Sequence, residues 1–109
     1  MLLPRGDCVS IDERKIRTYL LSKTHPVGRF KARVFASAGF TEATSDALGT
    51  QIRALAATGE VSGVEDTEFG RKYTVPGALA GPIGTVQVLT VWIEEPGQTS
   101  LRLVTVQPR

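Results

Sequence analysis

The chain changes period at Gly59, and that switch limits the folds open to it. Past this point the apolar runs are short, rich in β-branched residues and fenced by glycine or proline. "GRKYTVPG", "GTVQVLTVWIEE" and "SLRLVTVQP" have the Val, Thr, Ile, Tyr and Trp content of strands. "GALAGPIG" and "EPGQTS" supply the turns, and a short strand near "EVSGV" would be a fourth. Successive strands joined by short turns pair antiparallel, so this half reads as a meander that must bury one face against something else.

The first sixty residues offer helices for that face. In "IDERKIRTYLLS" the residues Ile16, Tyr19 and Leu20 follow i, i+3, i+4 spacing, with Asp12 and Glu13 near the positive helix start. Pro26 pushes His25 out of helical geometry and Gly28 permits a turn, which ends a helix of about eleven residues. A second helix is expected from about Arg29 to Ala38, stopped by Gly39. A third starts near Thr41, shows Leu48, Ile52 and Leu55 on one face, and closes at Gly59. The expected fold is therefore α+β, with three N-terminal helices packed on one face of a three- to four-stranded antiparallel β-meander. It reads as a single domain, 1–109, with a helical part over about 11–59 and a sheet part over about 61–107.

With 41% apolar and 22% charged residues, the composition is that of an ordinary globular protein. The apolar stretches are a few residues long, far from the ~20 that span a bilayer, so no membrane role is expected. The opening "MLLPRGDCVS" is unlike a secretory signal, and Cys8 has no partner for an internal disulfide, so a cytoplasmic location is expected. One cysteine and one histidine cannot close a zinc site, "VEDTE" reads as solvated surface, and no cofactor or metal is expected. Charge is uneven. Residues 1–33 hold eight basic against three acidic residues, the rest five against eight. One end thus attracts anionic partners.

On a helical wheel of the second helix, Phe30, Val34, Phe35 and Ala38 form the inward stripe, and Lys31 falls inside it. Arg29 and Arg33 face outward. An inward lysine must snorkel, pair, or border a cavity. Two readings stay open: a stem packed on Phe35 with its head in solvent or paired with a sheet acid, or a phosphate ligand beside the helix start. His25 can exchange a proton near neutral pH, and positive surroundings would favour its neutral, basic form. It can equally be a loop residue that stabilises the turn before Pro26. Ser22 and Ser37 lie near this region, but no strand–turn–helix elbow and no phosphate-binding glycine loop accompany them. Phe69, Tyr73 and Trp92 could stack on bases or fill the core. Metal-free RNA cleavage needs a base, an acid and cations; His25, Lys31, Arg71, Arg102, Tyr73, Thr90 and Thr105 are the available parts.

At "HPVGRFKARVF", "FGRKYTVPGALAGPIG", "LTVWI" and "LRLVTV" the chain resembles a bacterial family of unknown function. Its members are stand-alone proteins of about this length or C-terminal domains of phage head-morphogenesis and toxin-like proteins. The layout is similar to the barnase, EndoU, colicin and RelE class of small ribonucleases, which implies an RNA backbone as substrate and no metal. The family pattern falls on His25, Gly28, Lys31, Tyr73, Thr90, Trp92, Arg102 and Thr105. Catalytic roles are expected for His25, Lys31, Arg102, Tyr73 and Thr105, and substrate binding for Gly28, Thr90 and Trp92 together with the cations Arg29 and Arg71, which lie outside that pattern. The expected function is RNA binding or metal-independent RNA cleavage, with a cognate acidic inhibitor or antitoxin protein as a further partner. The alternative is a non-catalytic module that docks an acidic protein, and a third expectation is an oligomer built through the edge "SLRLVTVQP".

Overall fold

A computed structural model describes residues 1–16 and 29–109. Four strands, β1 (Gly63–Thr67), β2 (Gly70–Ala80), β3 (Thr85–Glu94) and β4 (Arg102–Pro108), form one sheet in the order β1-β2-β3-β4. Each is antiparallel to the next. The alternation seen in the sequence is the alternation of burial. In β2, Tyr73, Val75 and Leu79 are buried, while the alternating Lys72, Thr74 and Pro76 are half-buried. Tyr73 faces Trp92 and Trp92 faces Leu103, so three strands contribute one row of large side chains to the core.

Two local irregularities follow from sequence. Pro76 sits in the long strand β2 but past Thr74, the last β2 residue that β1 covers. Its missing N–H can face the side where no strand lies, which is where a strand tolerates proline. Between Val91 and Trp92 the β3–β4 register slips, with Trp92 opposite Leu103 and Val91 opposite Thr105. Val104 is the extra residue of a bulge, a feature that re-aims the side chains beside it.

The helical half differs from the expected three-helix layer. Among the described residues there is one long helix, α3 (Ser45–Thr58), entered through a 3₁₀ turn at Glu42–Thr44. The Thr41 N–H donates to Thr44 Oγ1 at 2.8 Å, and that hydroxyl donates to the Gly39 carbonyl at 2.9 Å, which secures the entry. Ser45, Leu48, Gly49, Ile52 and Ala56 are its buried stripe, and α3 lies against β2. Leu55 is held where Gly77 has no side chain, and any Cβ at Gly77 would collide with it.

α2 (Arg29–Ser37) is nine residues long and packs at the sheet's margin, on β4. It buries Ala32 and Phe35, and Gly39, at φ +94°, turns the chain away just past it. The described part of the first helix, α1, is one turn, Glu13–Lys15, capped by the Asp12 carboxylate on the Arg14 N–H at 3.0 Å. Just upstream of it the chain is extended. Ser10 runs extended beside β4 in a parallel bridge to Arg102, donating to Leu101 O at 2.8 Å and accepting from Leu103 N at 3.0 Å. Val9 and Ile11 are buried on either side of it. Backbone hydrogen bonding to a strand edge and two buried β-branched side chains favour extended chain over helix here. Among the described residues three helices laid side by side on one face is thus not the architecture; one long helix covers β2, and short elements lie at the β4 edge. The segment "SLRLVTVQP", expected to be an available edge, is already paired with Ser10 at Leu101–Leu103.

Candidate anion-binding site

Lys31 and Thr105 meet. Lys31 is half-buried in the first turn of α2, and its Nζ donates to Thr105 Oγ1 at 3.1 Å across 74 positions of sequence. The contact has a clear origin. The buried stripe of α2 turns Lys31 toward the sheet, and first-turn side chains lean back toward the helix start. The bulge after Leu103 places Thr105 within its reach.

Burial pushes the Lys31 ammonium below its ordinary range, and the positive charge of Lys15 pushes it the same way. Lys15 is lowered by burial first and by Arg102 second, with Asp12 acting in the opposite direction. Lys31, Lys15 and Arg102 therefore form one electrostatic cluster along the β4 edge. Arg102 donates from Nε to Glu95 Oε1 at 2.9 Å and its side chain is half-exposed. Burial is the larger cause for both ammonium groups, with a neighbouring cation acting in the same direction on each, and perturbed groups of this kind are enriched at functional sites.

The other expected site residues divide among three places. Tyr73, Thr90 and Trp92 lie in the core at 3%, 0% and 0% exposure. Trp92 Nε1 donates to Thr90 Oγ1 at 2.9 Å, and that hydroxyl donates to the Val75 carbonyl at 2.8 Å. This chain satisfies every polar atom of the pair and leaves no ring face for a base to stack on, so Thr90 and Trp92 hold the core and do not present a binding surface. Arg71 sits across the sheet, where its Nε donates to Asp66 Oδ1 at 2.7 Å and its guanidinium is held further in the charged form by Asp66 and then Tyr73. It is not part of the β4-edge cluster. His25 and Gly28 lie outside the described residues; Arg29 opens α2.

Lys15 is the residue that the sequence reading missed. Its signal was available only as charge, because it belongs to the basic surplus of residues 1–33. Nothing in "DERKI" marks it off from Arg14, whose side chain is far more exposed. The direction of Lys15 is decided by Ile16, fully buried on the α3 side with its Cδ1 near Gly49.

Among the described residues no group of three or more His, Cys, Asp or Glu is placed to hold a metal ion, and no helix is long and apolar enough to cross a membrane. Comparison with curated proteins and with solved structures gives no match. The model of one protein family, described as Domain of unknown function (DUF6883), matches residues 2–109, and the chain belongs to that family.

Proposed function

We propose that the chain binds the phosphate backbone of RNA at the β4 edge and acts as a metal-independent, ribonuclease-like domain. The observation that carries this reading is the hydrogen bond from Lys31 to Thr105, with Lys15 and Arg102 in the same positive cluster. Thr105 orients the Lys31 ammonium, and the three cations neutralise a phosphate and the extra charge that develops when it is attacked. His25 takes the proton of the ribose 2′-hydroxyl, the oxygen attacks phosphorus as the P–O5′ bond breaks, and the 5′-oxygen leaves with a proton donated by solvent water. The products are a 2′,3′-cyclic phosphate and a 5′-hydroxyl. Such an activity suits a cytoplasmic, toxin-like or phage-associated protein held in check by an acidic inhibitor that covers the same cations.

The test is incubation of purified protein with total RNA in EDTA, beside His25→Ala, Lys31→Ala and Arg102→Ala, with binding followed against salt. Cleavage by the wild type and its loss in His25→Ala are expected. Lys31→Ala is expected to weaken RNA binding by about tenfold and to reduce the salt slope by about one. Absence of cleavage in all four proteins removes the enzymatic part. Salt-sensitive binding to an acidic protein, with none to RNA, selects the interaction-module reading instead.

A further inference from the structure

β1 is the sheet's open edge. Gly63, Val64, Glu65 and Asp66 are all exposed, and only Thr67 is half-buried. Among the described residues β2 lies on one side of it and no strand on the other. Alternate peptide groups of such an edge turn outward and form a template for another extended chain. The apolar surface beside it is also open, with Val64 at 50% and Phe69, in the β1–β2 turn, at 68% exposure. A groove of about 380 Å³ runs along the inner side of the edge between Val64, Glu65, Lys72, Thr74 and Val91.

The charges select the occupant. Glu65, Asp66 and Glu68 fall within four residues, and because side chains alternate along a strand, Glu65 and Asp66 put acid on both faces of the edge. On β2, Arg71 is bonded to Asp66 and Lys72 stands opposite Glu65, so the basic residues of the hairpin lie inboard of the acids and not on the edge. A second copy of the chain is disfavoured. Antiparallel pairing that overlaps all five residues of β1 sets Glu65 against Glu65, and like charges directly opposite are destabilising. At the β4 edge of a second copy, Ser10 already occupies Leu101–Leu103.

We propose that β1 docks an extended, lysine- or arginine-bearing segment of a partner protein, which joins the sheet as a fifth strand. Backbone hydrogen bonds supply the affinity, basic side chains on the face of Glu65 supply the selectivity, and apolar ones on the opposite face cover Val64. This surface is separate from the RNA reading, whose cations lie at the other edge, three strand spacings or about 14 Å away.

The experiment uses a fluorescent peptide of alternating lysine and valine, longer than the five residues of β1. A companion peptide has the same charge, with proline in place of every valine, and cannot pair as a strand. Anisotropy and amide chemical shifts follow binding to the full chain. Expected are saturable binding of the lysine–valine peptide, about tenfold weaker binding of the proline peptide, and amide shifts confined to Gly63–Thr67 and the adjoining β2 residues. The double variant Glu65→Lys/Glu68→Lys, both sites being exposed, is expected to lose about tenfold in affinity for the peptide while its phosphate binding at Lys31 is unchanged. Equal binding of the two peptides would show charge attraction without strand addition and overturn the proposal. So would no binding, shifts centred elsewhere, or β1 shifts that grow with the protein's own concentration.

Discussion

The two edges of the sheet are built in opposite ways. At β4 the chain spends its own N-terminal residues and α2 to close the edge, burying Val9, Ile11, Leu101 and Leu103 and gathering Lys15, Lys31 and Arg102 there. At β1 no described residue closes the edge, every side chain but Thr67 is exposed, and the charges are acidic. Both edges derive from one sheet with one core. The difference shows that stability and polarity are separately distributed: the closed edge holds the fold and the cations, while the open edge adds little to either.

The sharpest way to break that contrast is truncation on each side. Leu103→Ala removes a side chain that is 2% exposed in the row with Trp92 and is expected to cost about 3 kcal/mol of unfolding free energy. Val64→Ala on β1 is expected to stay within about 0.5 kcal/mol. Urea unfolding of both variants measures the difference, and equal losses would mean that β1 is covered by something. Next in size is Ser10→Pro, which deletes the N–H bonded to Leu101 and is expected to cost about 1–2 kcal/mol. A neutral result would show that the N-terminal segment does not pair with β4 in solution.

Lys31→Met separates folding from binding at the closed edge. It keeps the apolar stem and removes a half-buried charge, so stability is expected to hold or rise slightly while phosphate or RNA affinity falls about tenfold. A smaller effect is alkaline. The Lys31 and Lys15 ammonium groups are lowered from 10.5, so between their folded values and 10.5 the unfolded chain binds more protons than the folded one. The cost of holding these charges is present in full below the folded values and fades as pH rises, so stability rises with pH across that window. Urea midpoints taken as pH approaches 10.5 should climb in the wild type and flatten in Lys15→Met/Lys31→Met. Anion affinity should fall over the same window.

Much of the sheet was legible because its signal is local. Alternation, β-branched residues and Gly/Pro turns placed three strand regions from the amino-acid types alone, and Gly39 and Gly59 marked the ends of α2 and α3. The helical layer was not legible, because propensity says nothing of whether "CVSI" will pair with a strand 90 residues later. That pairing decides the geometry of the N-terminal region. The candidate site was half legible. Lys31 stood out as a cation on an inward face, and its contact with Thr105 follows from that position plus a bulge that no spacing announces. For Thr90 and Trp92 the residue types alone leave a binding surface and a buried hydrogen-bonded pair both open. Their register opposite Val75 and Leu103 settles it, and register is not written in composition.

The central claim, that the anion chemistry belongs to the β4 edge, is tested most directly by titrating a short RNA oligonucleotide into isotopically labelled full-length protein. Amide and side-chain resonances of Lys15, Lys31, Arg102 and Thr105 should shift together and saturate, with Glu65 and Asp66 unmoved. Shifts centred on β1, or none at Lys31 and Thr105 at saturating RNA, would contradict it.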